Sequence, residues 1–182
     1  MLMPNIRADY RRYLDANGGP GRPVAAARAL LEYGFIASVV YRYGRWTRTI
    51  RPKPLSYPFK LVYSVLSSMC EILFGIHIGT NADIGPGLYI GHFGGIFLVG
   101  DMGANCSVGQ GVTIGFKGGG KSTRPPRLGN NVYVGTSAVI VGAIDIGDGA
   151  VIGANTTVVK DVPPGYTVVS QASRMLPPRD LA

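Results

Sequence analysis

Cysteine, histidine and tryptophan are scarce in this chain, whose 182 residues hold 2 Cys, 2 His and 1 Trp. Cys70 and Cys106 lack any CxxC or CxxH spacing and sit in apolar surroundings, so they read as buried free thiols of a cytosolic protein. Charged residues make up only 15% against 46% hydrophobic, which excludes a disordered acidic or basic tail. Long apolar runs are absent too. The best stretch, Leu61 to Ile76, is preceded by Lys60 and interrupted by Glu71, and it falls short of the ~20 residues that a spanning helix needs. The opening MLMPNIRADYRRYLDANGG mixes both charge signs without an apolar core, so no secretory signal is expected there.

Acidic residues number 10 against 18 Lys and Arg, a formal charge of +8. Residues 1 to 75 hold 11 basic and 4 acidic residues, giving +7, whereas residues 76 to 182 hold 7 and 6, giving +1. The basic part suits an anionic lipid surface or a polyanionic glycan, with a solvated basic helix face as the plainer reading. A nucleic-acid partner is not expected. A cytoplasmic protein, peripheral to the inner face of a membrane through its basic helices, fits this balance.

What the chain has in plenty is glycine, 27 residues without a strict Gly-X-Y period, which excludes collagen. Pro23 suits the first position of a helix in PVAAARALLEYGF, and Gly34 is expected to break or kink it. RPKP at 51–54 is a stop. From Leu55 the apolar Phe59, Val62, Leu66, Met69 and Leu73 recur at three- and four-residue steps, which predicts one amphipathic helix running towards Gly75. The expected organisation is a helical segment over 1–75 and a different architecture over 76–182.

Beyond Gly75 an aliphatic residue or Met returns every six positions: Ile78, Ile84, Ile90, Ile96, Met102, Val108 and Ile114, then Leu128, Val134, Ile140, Ile146, Ile152 and Val158. Glycine follows directly at ten of these thirteen. Neither an α-helix nor an alternating strand has a period of six. A short strand and a corner in each hexad does, which is the parallel β-helix, here just over four turns. Ile114 and Leu128 are fourteen residues apart, so GFKGGGKSTRPPR must leave the coil as a loop; its lysines and arginines suit a basic flap that closes over a ligand. The same stretch matches the phosphate-binding pattern GxxxxGKS, but Pro125 and Pro126 follow where that motif needs a helix.

His92, in LYIGHFGG, sits at a glycine-rich corner, and a neutral imidazole is a natural general base near pH 7 for a hydroxyl nucleophile. The segments IGPGLYIGHFGG, GQGVTIG and GNNVYVGTSAVIVGAIDIGDGAVIGANTTVVKDVPPG resemble the hexapeptide-repeat acyltransferases, and within them the serine acetyltransferase branch. The helical preface resembles members linked to exopolysaccharide synthesis. The resemblance implies a left-handed β-helix, a homotrimer with active sites between neighbouring subunits, and acetyl-CoA as co-substrate without a metal. It implies His92 as the catalytic base, with His77 at the position of the carboxylate that orients it. Gly115, Lys121, Thr136, Ala154, Lys160 and Arg174 are implied for the coenzyme, and Arg124 for the acceptor.

The departures are Gly91, where the family carries a carboxylate, and Pro125, where it carries a histidine. With no carboxylate left for a serine ammonium, the expected activity is acetyl-CoA-dependent O-acetylation of a sugar hydroxyl in a polysaccharide or glycolipid precursor. Serine O-acetylation is the runner-up, and a non-catalytic scaffold is a third reading. A zinc β-helix of the carbonic-anhydrase kind is disfavoured, since such sites use three imidazoles and the chain offers His77 and His92 alone.

Overall fold

The computed structural model describes residues 2–118 and 124–171. Four helices come first: α1 (Leu2–Ala16), α2 (Pro23–Leu31), α3 (Tyr33–Thr47) and, after a 3-10 turn at Lys53–Ser56, α4 (Tyr57–Phe74). Pro23 does open α2. The break after it falls at Glu32, whose ψ of 126° is extended, and not at Gly34. Gly34 lies inside α3 because that helix touches the solenoid there: an added Cβ would overlap the Ile90 carbonyl oxygen. The helix α1 lies within the helical segment expected over 1–75, although no motif marks it individually.

Gly75, at φ 64°, ends α4 in the left-handed conformation and hands the chain to the coil. Three parallel sheets form its sides. Sheet 1 contains β1 (Ile76–Ile78), β3 (Ile96–Leu98), β6 (Thr113–Gly115), β9 (Val139–Val141) and β12 (Thr157–Val158). Sheet 2 contains β4 (Asp101–Met102), β7 (Arg127–Leu128) and β10 (Asp145–Ile146), extended by bridges from Ile84 to Met102 and from Ile146 to Val162. Sheet 3 contains β2 (Tyr89–Ile90), β5 (Ser107–Val108), β8 (Tyr133–Val134), β11 (Val151–Ile152) and β13 (Thr167–Val168). The fold is a left-handed parallel β-helix carrying an N-terminal helical region.

All thirteen periodic residues are buried inside the coil. Burying each such side chain contributes about 1.5–3 kcal/mol, and a stack along one axis makes every rung depend on its neighbours. Besides the fourteen residues between Ile114 and Leu128 and the four between Val158 and Val162, the register departs from a plain six-residue count at a place the periodicity does not show. Ile78 pairs with Leu98, and Leu98 with Ile114, so Leu98 and not Ile96 continues the stack on sheet 1. Eight residues separate Ile90 from Leu98 and only four separate Leu98 from Met102, an 8+4 partition hidden under two apparent hexads. The two extra residues lie at the corner that carries His92. The coil also runs beyond Val158 to Val162 and Val168, completing a fifth rung.

An open coil end exposes unpaired backbone groups, and here helix side chains satisfy them. The Tyr13 hydroxyl accepts from Ile90 N at 2.8 Å, and the Tyr41 hydroxyl accepts from Ile84 N at 3.1 Å while donating to Ala82 O at 2.8 Å. The Asp9 carboxylate accepts from Gly87 N at 2.8 Å, Leu88 N at 2.9 Å and the Arg42 guanidinium at 3.0 and 3.1 Å. Arg42 also donates to the carbonyls of Ile84 and Gly85. Burial raises both tyrosine hydroxyls above their ordinary pKa, so they stay protonated in this role. The same cause raises the Cys70 and Cys106 thiols, which are buried and free.

The helix α4 differs from expectation in its orientation. Its inward line is Phe59, Tyr63, Ser67, Cys70 and Phe74, whereas Val62, Leu66, Met69 and Leu73 of the expected stripe are exposed, together with Leu61, Val65 and Ile72. That outward apolar face has no cover within the described residues.

The buried Asp9–Arg42 pair and the exposed Arg45–Asp83 pair should respond differently to truncation. Asp9→Ala leaves a buried guanidinium uncompensated and is expected to cost about 3–5 kcal/mol in denaturant unfolding, while Asp83→Ala is expected to cost at most about 1 kcal/mol. Equal losses would show that Asp9 does not anchor the cap.

Candidate active site

The chain leaves β2 at Ile90, passes Gly91 and reaches His92 at φ 67°, a left-handed conformation that is uncommon for a side-chain-bearing residue. The corner is held from both sides. Gly94 N donates to Phe74 O at 2.8 Å, Gly111 N donates to Gly94 O at 3.0 Å, and the Phe93 ring meets Tyr33 edge-on at 5.2 Å. His92 itself is exposed, on a cleft of about 520 Å³ whose walls include Arg12, Asp15, Tyr89, Tyr133 and Thr136. A histidine fixed by backbone bonds at the rim of such a cleft can reach a bound hydroxyl without first losing a structural partner.

One wall is supplied by α1. Arg12 donates to Gly87 O at 3.1 Å and to Ser107 Oγ at 2.7 Å, with its guanidinium carbon 6.0 Å from the Tyr89 ring centre. Asp15, one helical turn on, borders the same cleft and makes no ion pair among the described residues. Neither residue was foreseen, because no periodicity links α1 to a corner almost eighty residues later. The wall also carries Tyr89, whose hydroxyl pKa is raised, chiefly by burial.

His77 does not reach His92 by any hydrogen bond among the described residues. Its Nδ1 lies 2.7 Å from Glu71 Oε1, and its ring stacks on Phe97 at 4.7 Å. Glu71, at the end of α4, is therefore the carboxylate that partners this imidazole.

The remaining candidates divide between two edges of sheet 1. Thr136 and Ala154 share the His92 edge, on successive rungs joined by Asn155 N donating to Thr136 O at 2.9 Å. Gly115, Lys160 and Arg124 lie at the opposite edge, where the chain turns towards sheet 2. There Arg124 donates to Asp145 Oδ2 at 2.7 Å. Within one protomer Arg124 is thus not a wall of the His92 cleft. Lys121 and Arg174 lie outside the described residues, as does the middle of the loop at 119–123. After Arg124–Pro126 the chain enters β7 and not a helix, as the two prolines require, so no phosphate-binding helix follows the glycine-rich run. No cluster of three His, Cys, Asp or Glu able to hold a metal occurs among the described residues.

Family models match two parts of the chain: the bacterial transferase hexapeptide (six repeats) over residues 125–160, and the hexapeptide repeat of succinyl-transferase over 67–92. The serine acetyltransferase of Helicobacter pylori is 38% identical over 120 residues, covering 65% of this chain and 70% of the relative. That of Synechococcus elongatus is 35% identical over 181 residues, 96% of this chain and 69% of the relative. The chain belongs to the hexapeptide-repeat acyltransferases, in their serine acetyltransferase-like branch. A solved Neisseria gonorrhoeae serine acetyltransferase in complex with serine superposes on this acyltransferase with a TM-score of 0.73 at 32% identity, covering 96% of this chain and 68% of that one. The Brucella abortus serine acetyltransferase in complex with coenzyme A gives 0.74 at 27% identity, over 93% and 65%.

If His92 is the base of this acyltransferase, His92→Ala should lower kcat by about 10²- to 10⁴-fold with little change in coenzyme KM. His77→Ala, which breaks only the pair with Glu71, should cost less. A folded His92→Ala protein with wild-type kcat would remove His92 from the chemistry.

Proposed function

We propose that this acyltransferase moves the acetyl group of acetyl-CoA to the hydroxyl of serine. The observation that carries the choice of acceptor is Asp15. The sugar acceptor expected from the sequence rested on the absence of any carboxylate to hold an ammonium beside His92. The structure corrects that premise by setting Asp15 of α1 on the His92 cleft, and the curated relatives and solved neighbours named above act on serine by name and not on sugars. The sugar reading keeps no supporting observation.

In this reading Asp15 holds the acceptor ammonium at one end of the cleft, and His92 takes the proton from the hydroxyl. The freed oxygen attacks the thioester carbonyl, the carbon–sulfur bond breaks, and the imidazolium returns its proton to the departing thiolate. Acetyl-CoA supplies the activated acyl group as co-substrate, along the edge marked by Thr136 and Ala154. Arg124, Lys160 and Gly115 join the same site when a second copy presents its opposite edge, which is the arrangement of a homotrimer. The outer surface of sheet 1, with Phe97 exposed, Val159 just beyond β12, and the end of α4, with Met69 and Ile72 exposed, supply apolar area for that contact.

Steady-state turnover with serine and with a panel of sugar acceptors separates the readings. Serine is expected to be the better acceptor, and Asp15→Ala to raise its KM about 10- to 100-fold, the loss of one charge-assisted contact, at nearly constant coenzyme KM. Turnover with sugars alone, or an unchanged KM for serine in the variant, would overturn the proposal.

A further inference from the structure

The helical end of the molecule carries a surface that acetyl transfer does not use. From Arg42 to Lys60 the chain contains six basic residues and no acidic one. Arg42 is buried against Asp9, but Arg48, Arg51, Lys53 and Lys60 are exposed and Arg45 is half-exposed. Large apolar side chains stand among them. Leu55, Tyr57 and Leu61 are 55%, 64% and 68% exposed, and Trp46 is 36% exposed. These residues belong to one region of the surface: Trp46, in the last turn of α3, meets Phe59 of α4 edge-on at 5.6 Å, and the Tyr43 hydroxyl donates to Phe59 O at 3.2 Å. Beside them Arg45 and Arg48 border a second cleft, of about 480 Å³, between α1 and the end of α3.

The combination is informative. A solvated basic face keeps its apolar residues inside, yet here the outward side of the 3-10 turn and of the first turns of α4 is apolar while its flanks are cationic. A subunit interface built on this patch would bring like charges of two copies together unless it met an acidic surface. The acidic side chains of the coil sit mainly along sheet 2, where Asp83 and Asp145 are already paired with Arg45 and Arg124. No single described helix is long and apolar enough to cross a bilayer; the bent pair α2 and α3 passes by length and composition only, and α3 is largely packed against α1, α4 and the coil. Leucine and aromatic side chains that enter the headgroup region, ringed by Lys and Arg that meet lipid phosphates, satisfy both halves of the pattern.

We propose that the surface formed by the end of α3, the turn at Lys53–Ser56 and the first turns of α4 docks this acyltransferase on an anionic lipid bilayer. Leu55, Tyr57 and Leu61 enter the headgroup layer, and Arg51, Lys53 and Lys60 hold the phosphates, while Arg48 beside them is hydrogen-bonded to Thr80 O and Asn81 Oδ1. The His92 cleft is built from α1 and sheet 3, so docking leaves it unobstructed by any of these side chains.

Flotation of the full chain with vesicles tests this, using phosphatidylcholine alone and phosphatidylcholine mixed with phosphatidylglycerol. Binding is expected only to the mixed vesicles and should fall as salt rises. Arg51→Ala combined with Lys53→Ala should weaken the partition about 25-fold, from about fivefold for each basic residue removed, with serine acetylation in solution unchanged. Leu55→Ser should weaken it as well, with unchanged subunit mass by light scattering. No binding to the mixed vesicles, or equal binding to phosphatidylcholine alone, overturns the proposal. A change of subunit mass in Leu55→Ser also overturns it, because the patch is then an interface between copies.

Discussion

One buried carboxylate fastens the helices to the coil. Asp9 is fully buried and accepts from two backbone amides of the first coil and from Nε and Nη2 of Arg42, whose Nη1 and Nη2 in turn reach two carbonyls of the same turn. A lone buried charge would be costly; here the two charges meet each other, and their remaining contacts are charge-assisted hydrogen bonds to backbone groups that the open coil end leaves unpaired. The pair thus does two things at once. It closes an edge that would otherwise template pairing with another chain, and it fixes α1 and α3 in one orientation relative to the first rung.

That orientation sets one wall of the His92 cleft. Asp9, Arg12, Tyr13 and Asp15 lie within two turns of α1, so one helix carries both the residues that cap the coil and those that wall the His92 cleft. Tyr13 binds the backbone of Ile90, two residues before His92. The corner that holds His92 is in turn the place where the coil takes two extra residues. The edge of sheet 1 opposite His92 carries Arg124 and Lys160, and a chain that places half of its candidate site on each edge of one sheet is suited to completing the site between copies.

The coil was legible in the sequence because its core obeys a strict local rule, and the thirteen aliphatic positions need no long-range information to be recognised. The shift from Ile96 to Leu98 was hidden because an insertion of two and a deletion of two within twelve residues cancel in the count. The lack of a glycine after Ile96 was the available signal. The helix α1 carries the apolar steps Ile6, Tyr10, Tyr13 and Leu14, which pack with Phe35, but the buried Asp9 on the same side and the charged residues between them mask the period. The stripe on α4 has the helical period but faces outward, since periodicity reports that a face exists and not what covers it. His92 was found from the glycines around it, whereas Asp15 and Arg12 could be found only once the fold brought α1 against β2 and β5.

If the cap and the cleft are one mechanical unit, loosening Asp9 should be felt at the acceptor and not at the coenzyme. The direct measurement is the pair of KM values, for serine and for acetyl-CoA, in Asp9→Asn at a temperature where far-UV circular dichroism shows the protein folded. The expected result is a raised KM for serine with the KM for acetyl-CoA and the oligomeric mass unchanged. Wild-type KM values for both substrates in the folded variant would contradict the claim that the buried carboxylate positions the acceptor wall.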